Sequence, residues 1–89
     1  MNEETVFIGK KELMSYVLAV ITQLNNGSDK VVIKARGRAI SRAVDVAQVS
    51  VERFLNDVHV KDIRIGTEEV SGRDGNPTKV SSMEITLSK

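Results

Sequence analysis

Val31-Val32-Ile33-Lys34-Ala35-Arg36-Gly37-Arg38-Ala39-Ile40-Ser41-Arg42 decides the fold, because two periodicities meet in it. Up to Arg36 the chain alternates, with Val31, Ile33 and Ala35 on one face and Val32, Lys34 and Arg36 on the other. Lys30 to Arg36 is therefore predicted as a strand whose far end turns polar. From Gly37 the apolar spacing changes to threes and fours. A helix is expected from about Gly37 to Leu55, burying Ile40, Ala43, Val44, Ala47, Val51 and Phe54. A strand that hands over to a helix at a glycine leaves unpaired N–H groups at the helix start, where the macrodipole adds partial positive charge. Lys34, Arg36, Arg38 and Arg42 surround that turn, and residues 30–42 contain no acid. The stretch favours a polyanion, so these four side chains are candidate phosphate contacts.

Nearer the N-terminus, Thr5-Val6-Phe7-Ile8 is β-branched or aromatic and ends at Gly9, which predicts a short strand. Leu13, Tyr16, Val17, Val20, Ile21 and Leu24 then form one apolar stripe, stopped by Asn25-Asn26-Gly27, and predict a first helix. Tyr16 shares the stripe and is read as core. Beyond the second helix, Val58–Val70 is β-prone, and Lys79–Leu87 alternates Ser81, Met83, Ile85 and Leu87 against Val80, Ser82, Glu84 and Thr86. Ser71-Gly72-Arg73-Asp74-Gly75-Asn76-Pro77 between them is rich in turn formers, and predicts a hairpin with an extended, mobile tip. The order is β-α-β-α-β-β. Parallel strands joined by a helix need a right-handed crossover, so the expected fold is an α/β two-layer sandwich with a mixed sheet. Core partners for the hairpin run out beyond Ile63, Ile65, Met83, Ile85 and Leu87, which suggests a projecting basic arm.

Eighty-nine residues at 40% hydrophobic composition suit a single domain, residues 1–89, of a size often helped by association. The absence of cysteine excludes a disulfide framework and a thiolate metal site, and one histidine, His59, is too few for the usual zinc sets. No metal or other cofactor is expected. The acidic start and the lack of a long apolar run argue against a signal peptide and a membrane span, and a cytoplasmic protein is expected. Thirteen basic and twelve acidic residues leave a net charge of only +1, so any polyanion binding must come from local distribution. The stretch around Gly37 has neither the Walker loop nor the three spaced glycines of a dinucleotide site. Nucleophile, base and orienting group are missing as a set, and no catalysis is expected.

Gly9-Lys10-Lys11, Met14-Ser15-Tyr16-Val17-Leu18-Ala19, the run from Ile33 to Asp45, and Arg53-Phe54 closely resemble the archaeal Alba family. The resemblance extends from about residue 5 to residue 88. It implies a fold like the C-terminal domain of translation initiation factor three. It also implies a homodimer that binds duplex DNA and RNA without strong sequence preference, as a chromosome-associated architectural protein. By this resemblance Lys10, Lys11, Arg36, Arg38 and Arg42 form the central binding surface. Lys10 is similar to the family lysine whose acetylation weakens binding, which makes a deacetylase a further partner. The hairpin from Arg73 to Lys79 is similar to arms that reach along the minor groove, and Phe54 to a phenylalanine that packs between dimers in a higher assembly on DNA. On spacing alone, Phe54 could equally close the core. The chain departs from the family pattern at Glu12, where proline is common, at Ser15, at Val51-Glu52 and at Asn76-Pro77. Acids near a phosphate surface oppose binding, so reduced affinity is expected.

Two other readings stand beside the chromatin one. Near-neutral charge suits a protein whose main partner is RNA, in a ribonucleoprotein or stabilising transcripts. A purely structural interaction module would show no nucleic-acid affinity and would ignore charge reversal at Arg36 and Arg38.

Overall fold

The computed structural model describes residues 3–89. In chain order the elements are β1 (Glu3–Phe7), α1 (Leu13–Asn25), β2 (Lys30–Arg36), a 3₁₀ turn (Gly37–Ala39), α2 (Ile40–Val49), a π turn (Ser50–Phe54), β3 (His59–Ser71) and β4 (Pro77–Ser88). The four strands form one mixed sheet in the order β1-β2-β4-β3. β1 and β2 are parallel, with Val6 beside Ile33, while β4 runs antiparallel to both β2 and β3. The expected β-α-β-α-β-β sandwich is the observed architecture.

Both helices pack on one face of the sheet. The α1 stripe buries Tyr16, Val17, Val20 and Leu24, with Leu13 and Ile21 partly covered. These side chains meet Val6, Val31, Ile33, Ala35, Ile85 and Leu87 from the sheet and Ala43, Val46 and Ala47 from α2. Burial of this apolar surface is the main favourable term in folding. Val31, Ile33 and Ala35 all enter the core, as the alternation of β2 predicts.

The second helical segment differs from its expected form. It begins as 3₁₀ and ends with a π turn, in which the Leu55 N–H donates to the Ser50 carbonyl at 2.9 Å. The apolar stripe also centres on a different line of the helix. Val44 and Phe54, expected inside, are exposed, and Val46 is fully buried in their place. Ala43, Val46 and Ala47 sit three and four apart, a tighter stripe than the one read from the sequence, and the widened final turn carries Phe54 outward.

The β3–β4 hairpin continues past the body of the sheet. Its last pairing shared with β2 is the row Arg36–Ser82–Gly66, after which five pairs run alone from Thr67–Ser81 to Ser71–Pro77. At about 3.4 Å per residue the arm projects roughly 17 Å beyond β2. Its tip is shorter than the seven-residue loop expected, because Ser71 and Pro77 already pair. The Gly72 N–H donates to the Asn76 carbonyl at 2.7 Å, and Asp74 accepts from both the backbone and side-chain nitrogens of Asn76 at 3.0 Å. No helix among the described residues is long and apolar enough to cross a membrane.

Candidate nucleic-acid interface

Three features gather at one end of the sheet. The Gly9–Glu12 loop leaves β1, the Gly37 turn leaves β2, and the hairpin arm extends from the same end. The Ile8 N–H donates to the Lys34 carbonyl at 2.9 Å, which prolongs the β1–β2 pairing up to the loop.

Tyr16 organises that loop. Its hydroxyl, on an otherwise buried side chain, accepts from the Gly9 N–H at 2.8 Å and the Lys11 N–H at 2.9 Å. A Cβ at residue 9 would stand 3.3 Å from the same oxygen, so glycine lets the backbone approach this closely. The loop thus holds a fixed curve that turns the exposed side chains of Lys10 and Lys11 outward. From α2, the Arg42 guanidinium donates to the Lys11 carbonyl, tying loop and helix together.

At the second turn Gly37 takes φ +60, a left-handed conformation that β-carbons disfavour, and so permits the abrupt change from strand to helix. No side chain caps this helical start and no acid lies in its first turn. Its amides and the aligned peptide dipoles leave positive potential there. Arg36 and Arg38 flank the glycine, and both are exposed.

The eight cations expected at the interface do not form one cluster. Lys10, Lys11, Arg38 and Arg42 sit on the loops and the start of α2, exposed to solvent. Lys34 and Arg36 project from the sheet face that carries no helix, opposite Ile33 and Ala35 in the pleat. The expected grouping of Lys34 with Arg38 and Arg42 is therefore corrected by strand alternation. Lys34 is half-buried, beside Glu84 in the register, with its Nζ 6.0 Å from the Phe7 ring centroid. Arg36 lies 3.4 Å from Glu68 on β3. Arg73 and Lys79 are exposed on the arm, where Lys79 pairs across from Glu69.

Among the described residues there are two ion pairs, Arg36 with Glu68 and Arg64 with Asp62, and Lys10, Lys11, Arg38 and Arg42 take part in neither. The sequence reading passed over Phe7, Glu68 and Arg64. Phe7 alternates out of phase with the buried Val6 and Ile8, and this could have marked it as outward-facing. The pairing of Glu68 with Arg36 spans 32 residues and left no local signal. The described residues contain no group of three potential metal-ligating side chains.

The family model described as Alba matches residues 4–67. This chain belongs to the Alba family. It is 57% identical over 89 residues to DNA/RNA-binding protein Alba 1 of Archaeoglobus fulgidus, covering 100% of this chain and 99% of that one. It is 59% identical over 88 residues to DNA/RNA-binding protein Alba of Methanothrix thermoacetophila, covering 99% and 98% of the two chains. Its structure superposes on that of Alba from Thermoplasma volcanium with a TM-score of 0.91 at 50% identity, over 96% of this chain and 99% of the other. The Alba fold and family expected from Ile33–Asp45 are thereby borne out.

Proposed function

We propose that this protein binds double-stranded DNA and RNA through their backbones, with the basic end of the sheet as the docking surface. The observation that carries the reading is the group Lys10, Lys11, Arg38 and Arg42. Four exposed cations, outside either ion pair, surround an uncapped helical start in a fold shared with proteins named for DNA and RNA binding. Arg36 contributes from the edge of the open face once drawn from Glu68, and Lys34 from deeper on that face. Arg73 and Lys79 lie far out on the arm, where a groove running past the sheet end would meet them. Phosphate contacts of this kind set position and affinity while reading little sequence.

The protein acts as a homodimer in this reading. Ile63 and Ile65 lie on the helix side of β3, beyond the cover of either helix, and are 55% and 79% exposed. Val44 is exposed on α2 and Met83 is only partly buried beside Ile65 in the register. A second copy covering this strip would bury apolar surface that a small domain leaves wet. Sedimentation would show a dimer that Ile65→Glu converts to monomer; an unchanged dimer would place the interface elsewhere. Phe54, half-exposed on the π turn, would then serve contacts between neighbouring dimers on DNA. Lys10, exposed on its loop, is accessible to acetylation, which would remove one charge from the docking surface and could be reversed by a deacetylase. An architectural, chromosome-associated role in the cytoplasm follows from such coating.

The deciding experiment is a titration against duplex DNA and duplex RNA of equal length at several salt concentrations. Counterion release predicts that log affinity falls linearly with log salt, by about 0.9 for each phosphate neutralised on DNA. Affinity that is flat in salt, or absent at low salt, would overturn the reading. A marked preference for the RNA duplex would favour the ribonucleoprotein role.

A further inference from the structure

Three aromatic side chains occur in the chain. Tyr16 is buried against the Gly9 loop and Phe54 stands on the π turn. Phe7 is 71% exposed on the open face of the sheet, with the Lys34 ammonium over its ring. A large apolar ring left in water on a strand has no packing role to account for it.

The surroundings of Phe7 have a defined chemistry. A shallow depression of about 520 Å³ adjoins the ring, and Lys34, Arg36, Glu68, Ser82 and Glu84 line it. The ring offers a stacking surface. Lys34 and Arg36 offer charge to a phosphate on either side of a stacked group. Glu68 and Glu84 offer acceptors, which repel a phosphate but pair with the amino and ring N–H donors on the edge of a base. Bases in a duplex have those edges engaged and their faces covered by neighbours. An unpaired base presents both to the protein.

We propose that Phe7 is the stacking platform for one unpaired nucleobase of a single-stranded nucleic acid. Arg36 and Lys34 meet the flanking phosphates, and Glu68 and Glu84 accept from the base edge. Guanine, whose pairing edge carries two adjacent donors, should be favoured over uracil, whose edge carries one. This inference rests on the nucleic-acid reading above and adds a second ligand form on the open face, where it shares Lys34 and Arg36 with the duplex but not Phe7. Stacking on an aromatic face is sequence-tolerant, so the base preference comes from the carboxylates.

The test compares a short fluorescein-labelled single-stranded RNA, free of self-complementarity, with a blunt RNA duplex of the same length at fixed salt. Phe7→Ala should weaken single-strand binding by about 5- to 150-fold while leaving duplex binding within about twofold of wild type. Phe7→Leu, which keeps the bulk but not the π face, should fail like Phe7→Ala, and Phe7→Tyr should retain binding. Single-strand affinity unchanged in the Ala and Leu variants, or lost equally for both ligands, overturns the platform. Wild-type protein that binds the duplex but not the single strand removes this site and leaves the proposed function standing. Protein that binds neither removes both.

Discussion

The basic end of the molecule and the open face of its sheet carry similar numbers of cations but hold them differently. On the loops and at the start of α2, Lys10, Lys11, Arg38 and Arg42 stand outside the two ion pairs. Across the open face, Phe7, Lys34, Glu84 and Arg64 lie side by side in register, and Arg36 and Arg64 are ion-paired to Glu68 and Asp62. A net charge of +1 therefore conceals a partition. One surface presents cations outside either ion pair, the other cations set beside carboxylates. Total charge says little about which ligand either will take, because screening in salt makes only nearby charges matter.

Reversing the cations outside the ion pairs should have the largest effect. Arg38→Glu together with Arg42→Glu should lower duplex affinity more than about tenfold and reduce the log–log salt slope by roughly 1.8, two phosphate contacts' worth. Fluorescence anisotropy across a salt series measures both. An unaltered slope would show that these two arginines do not meet phosphate.

Tyr16→Phe tests how the basic loop is held. The variant keeps the ring in the core but strips the acceptor from the Gly9 and Lys11 N–H groups, which should destabilise the fold by about 1–3 kcal/mol in denaturant unfolding. Duplex affinity should fall with it, since Lys10 and Lys11 lose their fixed placement. Full stability in the variant would mean that water replaces the hydroxyl without loss.

Much of this was legible in the sequence. The β2 alternation and the α1 stripe are carried by side chains whose neighbours along the chain already give their environment, so both elements emerged with correct faces. The second helix was misread at Phe54 because a π finish changes the angular step on which stripe counting depends, and at Val44 because the buried stripe of α2 centres on Ala43, Val46 and Ala47 and leaves Val44 at its edge. The candidate cations of Lys34–Arg42 could be listed from the sequence, whereas their division between two faces could not. That division depends on the pleat of β2 and on carboxylates brought in from β3 and β4, tens of residues away.

Glu68→Gln makes the open face more like the basic end. It frees Arg36 from an exposed ion pair, of a kind worth about 0.2–1 kcal/mol, so duplex affinity should rise by at most about fivefold at low salt. If affinity falls instead, Glu68 positions Arg36 rather than competing for it.

The smallest effect belongs to the tip of the arm. The backbone N–H of Asn76 and then its side-chain amide hold the Asp74 carboxyl below its ordinary value of 3.8. With its pKa depressed in the folded state, Asp74 supports the turn at all pH above that ordinary value, and the support fades as pH drops through the lower folded value. Amide chemical shifts of Gly72–Asn76 should be constant from neutral pH to about pH 5 and move only in stronger acid. A transition nearer neutrality would show that Asp74 is not held this way.

Because β2 sends Ile33 and Ala35 to the core and Lys34 and Arg36 to the open face, its register is a shared constraint. Inserting or deleting one residue within Lys30–Arg36 would exchange the two sets, driving cations inward and leaving apolar side chains in water. The charge of the open face can accordingly be retuned by substitution at alternate positions but not by changes in length. Variation in length is confined to places such as the hairpin tip, where no side chain has to serve two faces.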